Sequence, residues 1–413
     1  MFSEHDLGLQ GEACEDTLCL RGAIGVANKA ENQPAAWLQV GMSSNINAQT
    51  LERPSQTLIM TVDVSGSMGL GGRNDAPGEL ARKLLLEIGE TLRPQDRVAV
   101  VTYGSNVSKA LPLSPGNDFQ GYSRVIEGLT ENGSTNMEAG LRLAYRVAED
   151  ALDGNTEQVR VMLFTDVRPN TGASTASEFD RLVQAGAEQG VGLSVLAFGA
   201  NLGQSVLRAM SDVRGGNAFS LFTEEDTDTL MEEHWPFMVM PLAYDLKVKF
   251  ECDNVDIQHA YGFPSDNLAE FEVSSVFLSR KKGALLVQMG LDDAELATPS
   301  FETIGHIEYT TERGEAIEKE ISLEYQSSQG DNYFEQQSVD RSVALALMTE
   351  SMKRVTELYA TQRDLSVSVM EAALERYKAQ IADVSNDNMI REELLAQDLL
   401  DLMQSDAEQR AEY

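Results

Sequence analysis

The chain has 413 residues, more than one hydrophobic core usually serves, so we expect two or three folded domains. Its hydrophobic fraction of 42% and charged fraction of 24% are those of globular proteins and exclude a largely disordered or fibrous chain. With 66 acidic and 32 basic residues the formal charge is -34, which makes nucleic acid and anionic lipid poor partners. The same charge attracts cations, although solubility in a salty or calcium-containing medium also explains it.

The N-terminal residues and the cysteines give information on the cellular compartment of the protein. No stretch is apolar for long enough to cross a bilayer, and the first residues, MFSEHDLGLQGEACEDTL, lack the basic and apolar regions of a secretory signal. This indicates either a cytosolic protein or a mature or trimmed form of an exported one. The three cysteines, Cys14, Cys19 and Cys252, are too few for a disulfide scaffold. A bond between the close pair Cys14 and Cys19 is a hypothesis, and it would indicate an oxidising compartment.

The first predicted elements are two strands between about residues 20 and 49. Their apolar runs, around Ala23 to Val26 and Ala36 to Gly41, alternate roughly and are separated by polar turn residues. No segment with helical spacing accompanies them, so they need other strands to complete a sheet. We therefore assign residues 20–55 to the N-terminal strands of a β-sandwich.

The next segment, residues 56–240, alternates short apolar strands with amphipathic helices. Such runs are typical of strands buried on both faces of a parallel sheet, and the alternation predicts a doubly wound α/β domain. The predicted strands are 57–64, 97–103, 159–165 and 191–199. The predicted helices are 77–92, 136–150, 177–190, 204–213 and 225–235.

Strand-like segments without helical spacing follow in residues 241–335, including YDLKVKFE and KEISLEYQ. Their regular spacing predicts the remainder of the sandwich, with the α/β domain inserted between its two parts. Residues 336–413 are predicted to form a C-terminal helical region, because apolar residues recur at helical spacing, as in Leu345, Met348 and Val355. We interpret this Met and Leu stripe as core packing, not as a cofactor pocket.

Oxygen-bearing side chains follow the first strand of the α/β domain, in the order Asp63-Val64-Ser65-Gly66-Ser67. They lie at the carboxyl edge of the predicted sheet, where open α/β folds bind ligands. A carboxylate and two hydroxyls are suitable ligands for a hard divalent cation, and glycine lets the loop turn so that alternate side chains face one point. Taken alone, the same residues are equally typical of an ordinary turn.

Two further oxygen donors lie at the ends of elements at the same predicted edge. Thr135 precedes a helix in NGSTNMEAGL, and Asp166 follows a strand in VRVMLFTD. Each also has a local explanation, with Ser134 or Thr135 as a helix cap and Asp166 as a turn residue. The agreement of all five positions predicts a divalent-metal site, whose ligands are Asp63, Ser65, Ser67, Thr135 and Asp166.

The segment from 57 to about 235 resembles a von Willebrand factor A domain, and the five positions match its metal-ion-dependent adhesion site. The resemblance implies one Mg²⁺ per domain, or Ca²⁺ or Mn²⁺ in its place. It also implies a coordination position left for an acidic residue of a protein partner. By this resemblance the first loop of that site would contain Asp63, Ser65 and Ser67. The second loop would contain Thr135, and the third would contain Asp166.

One departure from the family pattern lies in the third loop. It commonly reads T-D-G, whereas Thr165-Asp166-Val167 keeps the carboxylate and loses the glycine. Metal ligation by the carboxylate stays compatible with this change, while the detailed shape of the loop differs from the family pattern.

The wider layout, over about residues 20–360, resembles bacterial proteins that share an arrangement with inter-alpha-trypsin inhibitor heavy chains and secreted calcium-activated channel-like proteins. From this resemblance we predict a periplasmic, secreted or surface-associated adhesion or assembly module that binds a partner's carboxylate through the cation. The alternative is an intracellular accessory protein that works with an ATPase or in the maturation of a complex, as the missing signal sequence allows.

Catalytic motifs have little support, so we predict that the protein is not an enzyme. The histidines have no metal-ligand spacing, and C-x-x-C and phosphate-binding loop motifs are absent from the sequence. Ser65 and Ser67 lie outside any G-x-S-x-G motif. The segment Asp383 to Asn388 begins like an EF-hand loop but lacks its glycine and terminal glutamate, which favours a turn between helices.

Overall fold

The computed structural model describes residues 5–28, 34–46, 53–152, 158–166, 175–199, 204–253, 255–261, 270–278, 284–291, 301–325 and 333–411. Near the N-terminus, β1 (Cys19–Asn28) pairs with β2 (Pro34–Ser43) in an antiparallel ladder of ten residue pairs. The two predicted early strands are therefore confirmed. The disulfide between Cys14 and Cys19 that was put forward as a hypothesis is also present, and it joins Cys14 to the first residue of β1.

The α/β domain is built on a six-stranded sheet in the order β5-β4-β3-β6-β7-β8. Its strands are β3 (Gln56–Asp63), β4 (Arg97–Tyr103), β5 (Val107–Pro115), β6 (Gln158–Thr165), β7 (Val191–Phe198) and β8 (Gly216–Leu221). Its helices are α1 (Pro77–Glu90), α2 (Phe119–Glu127), α3 (Met137–Ala151), α4 (Ala176–Glu188), α5 (Gln204–Ser211) and α6 (Glu224–Thr229). The α/β class is confirmed, and all four predicted strands are present.

The sheet is parallel except at one edge, where β5 runs antiparallel to β4. The sequence did not predict β5, β8 or α2. Strand β5 carries no continuous apolar run, because an edge strand with mostly accessible side chains needs none. The helix predicted at 225–235 is shorter, since α6 ends at Thr229 and a wider helical turn follows over Leu230–His234.

Alternate residues of β3 pack into two different cores, which explains why its middle, Leu58 to Met60, is a continuous apolar run. Leu58 and Met60 face the core under α1 and α2, whereas Ile59 faces the core under α3 and α4. All eight residues of β3 are buried. Each large apolar side chain buried in this way stabilises the fold by roughly 1.5–3 kcal/mol.

Two antiparallel sheets follow the α/β domain. Their additional strands are β9 (Pro241–Asp253), β10 (Val255–Tyr261), β11 (Glu270–Phe277), β12 (Ala284–Leu291), β13 (Phe301–Thr311), β14 (Ala316–Tyr325) and β15 (Tyr333–Phe334). One sheet has the order β10-β12-β2-β1-β15 and the other β11-β9-β13-β14. Apolar residues of both sheets, such as Leu38 and Val248, share one core. The predicted domain boundaries themselves stay predictions.

The C-terminal region is helical, as predicted, with α7 (Gln337–Tyr359), α8 (Arg363–Ile381) and α9 (Asp387–Ala411). Helix α7 packs on β1 and β2 through residues such as Val343, and Leu345 and Met348 belong to a core with α8 and α9. A turn joins α8 to α9, as expected, but it ends at Asn386, and Asp387 and Asn388 already belong to α9. The Asn386 side chain accepts a hydrogen bond from the backbone N–H of Met389 at the start of α9.

The amino ends of the parallel strands are joined to the later sheet by a buried arginine. Arg160 in β6 donates through Nη1 to Ser194 Oγ (3.1 Å) and to the carbonyl of Gly215 (2.8 Å). Its guanidinium lies 5.4 Å from the ring centroid of Phe277 in β11. The backbone N–H of Gly215 in turn donates to Ser275 Oγ (2.6 Å). The end of the α/β sheet opposite the predicted metal site is therefore in direct contact with β11 of the later sheet.

Across the described ranges, which stop at residue 411, none of the helices is long and apolar enough to span a membrane.

Candidate functional site

The first element of the site is the carboxylate of Asp63, the last residue of β3, which is fully buried. Its Oδ1 accepts a hydrogen bond from the backbone N–H of Ser65 (2.8 Å), and its Oδ2 accepts one from Thr165 Oγ1 (3.0 Å). The first bond closes a local turn of a kind that aspartate favours. The second joins Asp63 to the last residue of the neighbouring strand β6. Asp63 therefore ties the first and third loops together.

Beside this carboxylate, three oxygen atoms form a row. Ser67 Oγ donates to Asp166 Oδ1 (3.1 Å), and Ser65 Oγ lies 3.1 Å from Ser67 Oγ. Gly69, which follows these residues, has a φ of 65°, a left-handed conformation that favours glycine and ends the turn. The structure thus brings Asp166 to the predicted serine loop, although 99 residues separate Asp166 from Ser67.

The second loop packs against the first through backbone hydrogen bonds. The N–H of Gly66 donates to the carbonyl of Gly133 (3.0 Å), and the N–H of Asn132 donates to the carbonyl of Val64 (2.6 Å). Thr135, in the same loop, is buried. The cap of α3 is Asn136, whose side chain accepts from Ala139 N–H, so the alternative in which Ser134 or Thr135 caps this helix is wrong.

Sequence reasoning missed two residues that shape the site, Thr165 and Ser105. Thr165 holds the Asp63 carboxylate, as described above. Ser105, just beyond β4, accepts from Ser134 N–H (3.0 Å), and its own N–H donates to Asn132 carbonyl (2.7 Å). Thr165 stands directly before Asp166, and Ser105 follows a glycine at a strand end, so their positions at the sheet edge were available as signals.

The two carboxylates lie in an unfavourable environment for negative charge. Burial raises the pKa of Asp63, and burial together with the nearby Asp63 charge raises the pKa of Asp166 to about 6. Within the part of the chain that the structure describes, neither has a positively charged partner. The site therefore presents negative charge that a bound cation would stabilise.

The donor set fits a hard divalent cation. Oxygen ligands of Mg²⁺ at its usual bond length lie about 3 Å from their octahedral neighbours, close to the 3.1 Å spacings between Ser65, Ser67 and Asp166 oxygens. Over the described residues, no group of three or more His, Cys, Asp and Glu side chains could hold a metal ion. This site has two carboxylates and depends on hydroxyls for the rest, and ligation by the five named residues stays a prediction.

The departure from the family pattern cannot be located in the fold. Val167 and the residues up to 174 lie outside the described residues, so the structure bears on the third loop only as far as Asp166.

Comparison with known proteins identifies the family of the α/β domain. Residues 58–169 match the family model of the von Willebrand factor type A domain. The chain is 29% identical over 236 residues to the uncharacterized protein YfbK of Escherichia coli (strain K12), which covers 55% of this chain and 40% of that protein. It is 23% identical over 203 residues to the inter-alpha-trypsin inhibitor heavy chain H3 of Mesocricetus auratus, covering 47% and 22% respectively. The chain thus spans less than half the length of these relatives.

A solved structure shows the same fold over most of the molecule. The von Willebrand factor type A protein from Catenulispora acidiphila aligns with a TM-score of 0.57 over 91% of this chain and 88% of that one, at 12% identity. At this identity the likeness concerns the fold alone. The chain therefore contains a von Willebrand factor type A domain, homologous to those of YfbK and the inter-alpha-trypsin inhibitor heavy chains.

Proposed function

We propose that this protein binds a protein partner through a divalent cation held at the carboxyl edge of its α/β sheet. The domain belongs to a family of protein-interaction and adhesion modules. The observation that carries the proposal is the convergence of Ser65, Ser67 and Asp166 oxygens beside the buried Asp63 carboxylate. Mg²⁺ is the proposed cation, with Ca²⁺ or Mn²⁺ as substitutes.

The accessibility of the site supports binding of a partner from solution. Asp63, Ser65 and Asp166 are buried, but Ser67, whose Oγ lies 3.1 Å from both Ser65 Oγ and Asp166 Oδ1, is exposed, so the site opens to solvent at Ser67. A cation bound there would supply a positive centre for an acidic side chain of the partner. The residues of this chain hold the cation and leave that side open.

Binding, not catalysis, is the proposed role. The Ser65 and Ser67 hydroxyls are engaged with each other and with Asp166, and no described histidine hydrogen-bonds to them as a general base would. Asp63 likewise holds a backbone N–H and a hydroxyl in a fixed arrangement.

A metal titration tests the proposal. After chelation and dialysis, calorimetric titration with MgCl₂ should show binding to the wild type and at least about tenfold weaker binding to Ser67→Ala, because a ligand oxygen is lost. Ser123→Ala is the matched control, since this partly exposed serine bonds to the backbone of its own helix α2. Equal Mg²⁺ affinity of Ser67→Ala and the wild type would refute the proposed site.

We further propose an extracytoplasmic location, supported by the Cys14–Cys19 disulfide, since such bonds persist in oxidising compartments. The second candidate, an intracellular accessory protein working with an ATPase or in complex maturation, predicts that this bond is absent. Thiol counting on denatured protein separates the two. One reactive thiol before reduction, from Cys252, supports export, and three support the intracellular candidate.

A further inference from the structure

The helix α9 exposes an unusual concentration of apolar side chains. Eight large apolar side chains are exposed among the described residues, and five of them lie on this one helix: Ile390, Leu394, Leu395, Leu399 and Leu402. Scattered exposed leucines are ordinary on protein surfaces, but a contiguous apolar patch indicates an interaction site. These five residues are referred to below as the α9 face.

The α9 face is the side of the helix that its own bundle leaves uncovered. Met389, Ala396 and Leu400 are buried in the core shared with α7 and α8. At 100° per residue, Leu395 and Leu402 lie on the opposite side, and their side chains are 54% and 70% exposed. Leu395, Leu399 and Leu402 have the i, i+4, i+7 spacing of a seam that packs against another helix.

A groove continues the α9 face toward the α/β domain. It has a volume of about 740 Å³ and lies between α9 and the end of β8, with Leu395 on one wall and Phe222 on the other. Phe222, which directly follows β8, is 55% exposed. Exposed apolar side chains therefore stand on both walls of a groove whose lining is otherwise largely polar.

Acidic residues dominate the rim of this surface. The groove is lined by Glu225, Asp226, Glu233 and Glu392 against one arginine, Arg391, and one histidine, His234. Between residues 387 and 406, α9 carries six acidic residues and one basic residue. One of the acids, Asp398, lies one helical turn from both Leu394 and Leu402, within the apolar surface.

The negative charge around the α9 face favours some kinds of partner over others. A second copy of the same helix would place acidic residues opposite acidic residues, which is destabilising. An anionic membrane surface would repel it as well. We propose that the α9 face and its groove are a docking surface for an amphipathic protein helix whose apolar stripe is flanked by lysine and arginine.

A peptide titration tests this proposal independently of the metal site. The probe is a helical peptide of leucine and lysine with apolar residues at i, i+3, i+4 and i+7. Its binding to the chelated full chain is followed by fluorescence anisotropy. Replacing Leu395, Leu399 and Leu402 together by glutamine should weaken binding by about tenfold or more, because the buried apolar contact is lost. The matched control replaces the exposed Leu152 and Leu365, which lie elsewhere, by glutamine.

Charge and shape are separated by two further comparisons. Asp398→Asn should weaken binding several-fold and reduce its salt dependence. A peptide of the same composition in scrambled order should bind much more weakly, since it presents no continuous apolar stripe.

Four results would overturn the proposal. These are no binding of the amphipathic peptide, equal binding of the scrambled peptide, equal binding by the triple glutamine variant, or self-association of the wild type that the triple variant abolishes. The last result, measured by analytical ultracentrifugation, would assign the α9 face to a second copy instead. The substituted leucines are exposed, so the variants should keep the wild-type thermal transition.

Discussion

The two ends of the parallel sheet each bury aspartate, but under opposite electrostatic conditions. At the amino end, Asp96 accepts hydrogen bonds from Arg53 (2.9 and 2.6 Å) and from the backbone of Arg93 (2.7 Å). Burial alone would raise the pKa of Asp96, yet these bonds outweigh it and lower the pKa. At the carboxyl end, burial raises the pKa values of Asp63 and Asp166. A buried carboxylate that is paired with an arginine stabilises the fold. Buried carboxylates without a positively charged side chain beside them are candidates for ligand binding.

The largest effect is expected at the amino end. Asp96→Ala should lower the free energy of unfolding by about 3–5 kcal/mol, because it leaves the Arg53 guanidinium buried and unpaired. Urea unfolding followed by circular dichroism measures this change. Removing both charges, with Arg53→Met and Asp96→Asn, should cost less than Asp96→Ala, because no buried charge is left unpaired and the asparagine oxygen still offers an acceptor to the backbone N–H groups of Gln56 and Arg93. A small effect of Asp96→Ala alone would show that the ion pair does not stabilise this end of the sheet.

The next effect concerns cation binding at the carboxyl end and rests on the proposed function. At a Mg²⁺ concentration about 100 times the dissociation constant, the wild type should gain about 2.7 kcal/mol of stability. The Asp63→Asn variant should gain little, since a ligand charge is lost. Thermal unfolding with and without Mg²⁺ measures both. Asp150→Asn, an exposed change at the end of α3, is the control and should behave as the wild type.

A smaller effect is expected from Asp166 in chelated protein. Its folded pKa of about 6 exceeds the unfolded value, so the stability that protonation contributes is present at low pH and lost as the pH rises through about 6. Asp166→Asn avoids that loss and should be more stable than the wild type by about 1–2 kcal/mol near pH 7. The difference should vanish near pH 4. A difference independent of pH would contradict the assigned cause.

The smallest effect is expected at Ser105. Ser105→Ala removes the acceptor of the Ser134 N–H and should cost about 0.5–1.5 kcal/mol. Because it loosens the second loop without removing a proposed ligand, Mg²⁺ affinity should fall only a few-fold. A loss as large as that of Ser67→Ala would instead assign Ser105 to the cation site.

The sequence predicted the α/β domain because its central strands carry short apolar runs that alternate with amphipathic helices. It failed for β5, whose accessible residues and two prolines, Pro112 and Pro115, are more typical of a loop than of a buried strand. Apolar spacing also does not reveal what covers a helix. Leu345 and Met348 are core residues as predicted, whereas Leu395 and Leu402 on α9 are exposed.

The candidate site was predicted from residue types at strand ends, which is how Ser67 and Asp166 were placed together. Thr165 and Ser105 were missed, because a single hydroxyl that holds a carboxylate or an N–H has no periodic pattern. Thr135 entered the prediction in the same way, as an oxygen donor just before a helix at that sheet edge, and the resemblance to a known family then matched all five positions.

The strand β6 has a mechanical consequence. Arg160 near its beginning is fastened to the later sheet, and Asp166 follows its end, about 20 Å away along the strand. A pull on a partner held at Asp166 would therefore travel lengthwise through β6 to that anchor. Parallel ladders with β3 and β7 flank β6 along its length and would share the load in shear, so many hydrogen bonds would resist at once.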